Sequence, residues 1–332
     1  MAVTSLHSAG AIVLHSNGMA DPLGFAVNDT QQVELNQRTQ TLRRFGTAFE
    51  SAVSATGRAP GISFDTQCLA RALDVMGPLG VCVTSGSGSP AATGLDAYFI
   101  PHDRCNQREL AAALRYRASD GYLMPTSLQA AHGEVATLSG QAALVADGSG
   151  GEPLPEPSLA TVPTAVIEAD EQFTLYEVRV AGVPLRGVKS VGVEFGIGLS
   201  VESADGAVFP EWVSVDTIAT RITVTGVNLN WLSQTDIPVG GKRGTHLDTY
   251  IRLARYARDN DAANVLSYDD PTAETHIELT ASGLALIDTI SGSGSGPANC
   301  ALQIVAVHDG TNAPLVADTT ARLTEPVPDN QS

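Results

Sequence analysis

Lysine is nearly missing from this chain. Lys189 and Lys242 are the only two, and arginine supplies the rest of the 19 basic residues against 36 acidic ones, a formal charge of −17. A protein that clamps nucleic acid through its phosphates needs a basic face, so the balance argues against that class. It does not argue against nucleic acid nearby, because an acidic wall repels a phosphate backbone and suits a conduit through which DNA slides. Solubility alone is the plainer use of the charge. Cysteine is scarce too. Cys68, Cys82, Cys105 and Cys300 form no C-x-x-C pair and three fall in the first half, which speaks against a zinc site or a disulfide framework and for free buried thiols. No run approaches the ~20 apolar residues of a membrane span. The apolar stretch at 9–14 is short and has no Lys or Arg before it, unlike a signal peptide. The chain is therefore expected to be made and folded in a cytoplasm.

Catalytic signatures are missing as well. The seven histidines (His7, His15, His102, His132, His246, His276 and His308) include no pair at helical metal-site spacing. There is no G-x-S-x-G elbow. The Gly-Ser runs at 85–89 and 291–296 lack the lysine of a phosphate loop and read as flexible loops. Asp259-Asn260-Asp261 opens like a calcium loop but lacks its later Gly and Glu. Asp269-Asp270-Pro271 reads as a turn, and Glu168 with Asp170 is no acid–base signal by itself. No enzyme activity, cofactor or metal is expected.

What is present is length and repetition. A chain of 332 residues with 43% apolar content can fill two cores, and single cores rarely grow past roughly 250–300 residues. Four collinear matches suggest a tandem duplication. Ile62-Ser63-Phe64-Asp65-Thr66 matches Val213-Ser214-Val215-Asp216-Thr217 at an offset of 151. Phe49-Glu50-Ser51-Ala52 matches Val201-Glu202-Ser203-Ala204, and Gly94-Leu95-Asp96-Ala97-Tyr98 matches His246-Leu247-Asp248-Thr249-Tyr250, both at 152. Ala146-Asp147-Gly148 matches His308-Asp309-Gly310 at 162, which implies an insertion around 269–296 in the second copy. The resulting organisation is an N-terminal arm at 1–20, domains at 21–163 and 164–326, and a loose tail at 327–332. The join at 148–157 is rich in Gly and Pro.

Alternating patterns predict strands at 173–181, 188–201, 212–218, 220–227, 249–253, 275–279 and 300–307, separated by Asp-Gly, Gly-Ser and Pro signals. Helices are predicted at 66–76, stopped by Gly77-Pro78, and at 106–116. Asp65-Thr66 thus leads into a helix whereas its match Asp216-Thr217 leads into a strand. The expected fold class is mainly β: two tandem antiparallel β-sandwich or partial-barrel domains with a few short helices. Basic spots at Arg43-Arg44, Lys242-Arg243 and Arg252/Arg255/Arg258 are candidate contacts to acidic neighbouring subunits, with a solvated face as the plainer reading. Arg115 and Arg117 form a further basic spot.

The run Val188-Lys189-Ser190-Val191-Gly192-Val193-Glu194-Phe195-Gly196, then Asp205-Gly206 and Pro210-Glu211-Trp212-Val213-Ser214-Val215, resembles tail-tube (major tail) proteins of long-tailed bacteriophages. So does the closing stretch Ile290-Ser291-Gly292-Ser293, Leu302-Gln303-Ile304 and His308-Asp309-Gly310-Thr311-Asn312-Ala313-Pro314-Leu315. The resemblance covers 173–323 directly and reaches the first half only through the repeat. It implies a β-sandwich subunit of stacked rings whose inner sheets close into one barrel, a virion component that DNA crosses without specific binding. It also implies contact with tape-measure, tail-tip and terminator proteins. The family's usual ring is a hexamer of single domains, so a duplicated chain implies a trimeric ring with pseudo-six-fold symmetry. Glu34, Glu50, Glu194, Glu202 and Asp205 are the lumen-lining candidates. The alternatives are a virion decoration or fibre protein, and a carbohydrate-binding β-sandwich module. Few aromatics, 5% of residues, disfavour the latter.

Overall fold

The computed structural model describes residues 6–16, 23–27, 30–43, 50–84, 92–102, 109–148, 150–163, 166, 171–203, 207–237, 247–256, 268–292, 298–308 and 313–323. The fold is mainly β, with large antiparallel sheets. Its first half runs β1 (Leu6–Ser16), β2 (Leu23–Ala26), β3 (Gln31–Glu34), β4 (Gln37–Arg43), β5 (Glu50–Arg58), β6 (Gly61–Thr66), α1 (Leu69–Met76), β7 (Val81–Val83), β8 (Ala92–His102), β9 (Ala113–Ala118), β10 (Asp120–Ala131), β11 (Thr137–Val145) and β12 (Ser158–Ala160). The second half runs β13 (Phe173–Val180), β14 (Val183–Pro184), β15 (Ser190–Glu194), β16 (Ile197–Glu202), β17 (Trp212–Ile218), β18 (Arg221–Asn228), α2 (Leu229–Leu232), β19 (Leu247–Arg255), β20 (His276–Ser291), β21 (Asn299–Ala306) and β22 (Leu315–Ala321).

Period-2 alternation accounts for the strands. In β6, Ile62, Phe64 and Thr66 point inward and their neighbours do not; in β21, Cys300, Leu302, Ile304 and Ala306 do the same. Each such strand lays one face on a core and leaves the other to solvent. In α1 the buried stripe is Leu69, Ala72, Leu73 and Met76, and Gly77 at φ 64 ends the helix by giving its N–H to the Leu73 carbonyl at 2.7 Å.

The two halves repeat one pairing scheme. In the first, β1 pairs with β2 and β8, β8 with β9, and β9 with β12; β10 pairs with β11, β11 with β6, and β6 with β3. In the second, β13 pairs with β14 and β19, β19 with β20, and β20 with β22; β20 also pairs with β21, β21 with β18, and β18 with β15. The long β20 does alone what β9 and β10 do on either side of Ser119. Each half also sends out one two-stranded hairpin, β4–β5 and β16–β17.

The registers agree as well. Glu34 faces Gly61 and Gln37 faces Arg58; 160 positions on, Glu194 faces Arg221 and Ile197 faces Ile218. The hairpin bulge after Arg38 recurs after Gly198. The residue that turns the chain out of the sheet into the hairpin is Asn36 at φ 40 in one half and Gly196 at φ 64 in the other. Both types tolerate the left-handed region. β10 and β11 stand 162 positions before β20 and β21: Met124 faces Gln141 and Leu286 faces Gln303.

Several expectations are corrected here. Ile62–Thr66 lies in β6, whose counterpart is β18, whereas 213–217 lies in β17, the counterpart of β5. The match at offset 151 paired unrelated strands, because short Ser/Thr/Val alternations resemble one another wherever a face is buried. The match of 49–52 with 201–204 fails likewise, setting β5 against the end of β16. With the true register, the disagreement after Asp65-Thr66 disappears, since β6 leads into a helix after two residues and β18 leads into one directly. The predicted strand at 188–201 is two strands, broken at Gly196, where a Cβ would stand 2.2 Å from the Ala219 carbonyl oxygen. Within 106–116, residues 110–112 form a 3-10 turn and Ala113 begins β9. The open edge of β8 takes this Ala-rich segment as a strand, and pairing overrides its helix propensity.

One core runs through both halves, joining Phe25, Phe64, Leu128 and Leu138 with Phe173, Val193, Phe195 and Ile222. Among the described residues several contacts tie the halves together, of which these involve β10, the turn after it, and α1. Ser127–Ala131 of β10 pairs antiparallel with β15. The turn after β10 caps β13, with Ala136 N–H donating to the Phe173 carbonyl at 2.7 Å and Gly133 N–H to Thr174 Oγ1 at 3.0 Å. Thr319 of β22 hydrogen-bonds Asp74 of α1.

Candidate assembly surface

The hairpins leave the sheet directly after β3 and β15. The β16–β17 hairpin is unusually apolar for a surface: Val201, Val215 and Ile218 are exposed on one face, and Trp212, opposite Glu202 on the other face, is exposed by 54%. Its far loop is anchored back on the first half, where Val208 O accepts from Arg58 N–H at 2.8 Å and Pro210 O from Ala146 N–H at 2.7 Å. Side chains of β4 and of β5 up to residue 56 lie outside the described residues; Arg58, at the end of β5, pairs with Glu152 at 2.8 Å.

The acidic candidates fall around these hairpins. Glu34 and Glu194 end β3 and β15 at corresponding positions, Glu34 half-buried and accepting from Asn36 Nδ2 at 3.2 Å, Glu194 exposed. Glu202 is exposed at the end of β16. Glu50 opens β5 opposite Arg43. Asp205 lies outside the described residues, as do Arg44, Lys242, Arg243, Arg258, Cys105 and most of the two Gly-Ser runs.

The basic trio divides. Arg252 is 2% exposed, not an outward cation. Its Nε meets Glu278 Oε2 at 2.6 Å, its Nη1 lies 3.8 Å from Glu177 Oε2, and it donates to Leu323 O at 3.1 Å. Arg255 lies 3.5 Å from Asp269 and 3.9 Å from Glu171. These two hold the chain's own strands together. The pairing follows from the register of β13, β19 and β20, which spacing along the sequence does not reveal.

Two other clusters have chemistry to weigh. Asp96 is fully buried between β1 and β9, 2.8 Å from His15 Nε2, 3.8 Å from Arg115 and 3.7 Å from Arg117; Tyr98 Oη donates to it at 3.2 Å. Burial first, then the Asp96 charge and hydrogen bond, push the Tyr98 hydroxyl up to about 12. The corresponding Asp248 accepts from Ser282 Oγ at 2.9 Å, across the same strand pair. A charged anchor between strands explains both better than catalysis does. The second cluster is an open groove of about 610 Å³ lined by Cys82, Asp120, Asp147, Glu211 and Trp212. Cys68 and Cys300 are buried as expected, but Cys82 is exposed because it lies on short β7 at the groove's rim. Desolvation by its neighbours and then Asp120 push its thiol up, the opposite of what activates a nucleophile. His276 is fully buried, accepting from Arg255 N–H through Nδ1 and facing Asp270 O through Nε2, a core histidine with both nitrogens engaged.

Among the described residues no group of three or more His, Cys, Asp or Glu could hold a metal ion, and no helix is long and apolar enough to cross a membrane. Two features lay outside the sequence reading: exposed Leu35 and Ile290, apolar residues on sheet edges. No family model matches the chain, and no curated protein matches it.

Proposed function

We propose that this chain is a structural subunit of a phage tail tube, formed by tandem duplication and self-assembling into stacked rings that conduct DNA. The observation that carries this reading is the doubled pairing scheme, in which each half sends one hairpin out of a shared core. Repeated units with projecting strands suit closed assembly, because closure removes sheet edges that otherwise pair without control. Exposed Val201, Val215 and Ile218 on one face of β16–β17 support a surface that another subunit covers. Glu34, Glu50, Glu194, Glu202 and Asp205 are proposed for the lumen wall, where the excess negative charge keeps DNA from sticking.

Two units per chain make three chains equivalent to a six-unit ring. Rings stacking head to tail then grow into a filament, with tape-measure, tail-tip and terminator proteins as partners in the virion tail. Electron microscopy of the purified chain should show hollow tubes or rings, and native mass spectrometry should give three chains per ring. Isolated compact particles with no ring would refute the conduit, and six chains per ring would refute the trimer.

A further inference from the structure

The junction inside the chain has an unfilled copy at its two ends. The internal junction joins β10 to β15: Ser127 faces Glu194, Leu128 faces Val193 and Gln129 faces Gly192. Phe195 N–H donates to Thr126 O at 3.1 Å at one end of the ladder, and His132 N–H to Lys189 O at 3.0 Å at the other. Leu128, Val193 and Phe195 are all fully buried there.

Each side has a counterpart. β15 corresponds to β3, and among the described residues β3 pairs with β6 alone. The last turn of β10 corresponds to the end of β20. The bulge that skips Thr126 against β11 recurs at Asp288 against β21, so Ser127 corresponds to Thr289 and Leu128 to Ile290. The end of β20 pairs there with β21, and among the described residues its other edge is open.

The side chains tell the same story. Ile290 is 62% exposed where Leu128 is buried, and Leu35 is 49% exposed where Phe195 is buried. These are the two apolar positions that the internal junction covers and that the open ends leave bare. Val33, in the place of Val193, is already packed against the core. A second copy of the chain is the one partner whose edge is built to this register.

We propose that the end of β20 in one copy pairs antiparallel with β3 of the next, repeating the internal junction between chains. Thr289 then faces Glu34, Ile290 faces Val33 and Ser291 faces Gln32, with Leu35 covered as Phe195 is. The contact is heterologous, so copies join head to tail and each keeps one donor edge and one acceptor edge. It needs no conduit: a ring that never stacks has the same junction.

The test is a mixing experiment on the full chain, read by sedimentation velocity. Ile290→Asp spoils one edge and Leu35→Asp the other, both at exposed positions. Each variant alone should fall from the wild-type oligomer to monomer with its circular dichroism unchanged. Mixed in equal amounts they should form one-to-one dimers through the edges left intact. A wild-type chain that stays monomeric, a variant that assembles as wild type does, or a mixture that stays monomeric overturns the proposal. Because an aspartate could disturb the fold, a second test places cysteines at Val33 and Ile290 with Cys82 and Cys105 replaced by serine. Oxidation should give multimers with the double variant and none with either single one; no multimer counts against the junction. Tubes that form regardless of these substitutions would spare the conduit and sink the junction, whereas oligomers without tubes would do the reverse.

Discussion

Gly121 and Gly283 hold the same place in the two halves, each pressed on the backbone of the next strand. A Cβ on Gly121 would stand 2.4 Å from the Ala143 carbonyl oxygen, and one on Gly283 2.1 Å from that of Val305. Ala143 and Val305 are themselves corresponding residues of β11 and β21. Neither strand can step aside, since each is paired on its other edge with β6 or β18.

Gly121→Ala and Gly283→Ala are therefore expected to destabilise the chain by about 2–3 kcal/mol each, the upper part of the range for forcing a group into a packed site. Gly133→Ala is the control: its φ is 80°, in the left-handed region, but nothing lies within 4 Å of its Cβ. Strain alone at that turn should cost about 1 kcal/mol. Urea unfolding of the three variants checks the order, and equal losses would place the cost in glycine's flexibility rather than in the close approach.

Much of the fold was legible in strand alternation. The reading placed β17 at Trp212–Ile218, and α1 lies within its predicted span with the same glycine stop. Of the four matches that suggested a repeat, 94–98 with 246–250 and 146–148 with 308–310 agree with the recurring pairing scheme, and the other two do not. Similar letters at 62–66 and 213–217 outweighed the true correspondences, such as Ile62 with Ile222 or Asn36 with Gly196, which share geometry more than identity. The role of Arg252 was hidden for a related reason. Its partners Glu177 and Glu278 stand on β13 and β20, strands that only the fold makes neighbours of β19.

Removing Arg252 leaves two carboxylates facing each other without their shared cation. Arg252→Met should cost about 3–5 kcal/mol, as breaking one side of a buried pair does. Adding Glu278→Gln should restore part of the loss, and a double-mutant cycle by thermal unfolding measures that coupling. The loss must appear in the single chain. If Arg252→Met instead alters only self-association and leaves unfolding untouched, the internal role assigned to this arginine is wrong.

Tyr98 links stability to alkaline pH. Its hydroxyl titrates at about 12 in the fold against an ordinary value of 10.0. Burial and Asp96 favour the protonated form, so the folded state holds this proton where the unfolded chain releases it. The stabilisation is full below pH 10 and is lost as pH rises from there through about 12, a loss on the order of 2 kcal/mol. Tyr98→Phe should flatten that part of the stability profile while leaving the neutral range little changed. An equally steep decline in the variant would assign the effect to other groups.

Leu128 and Ile290 make the correspondence of the halves measurable in one chain. Leu128→Ala empties a filled site between Val193 and Leu138, and about 3 kcal/mol of stability should go with it. Ile290→Ala removes a side chain that is 62% exposed, so the dissociated chain should change by no more than about 0.5 kcal/mol. At concentrations where copies associate, the second value should grow toward the first, because the partner's Val33 then stands where Val193 stands for Leu128. Unfolding measured across a dilution series tests this. A cost at Ile290 that ignores protein concentration would mean its open edge meets nothing, and that the two junctions are alike in sequence register only.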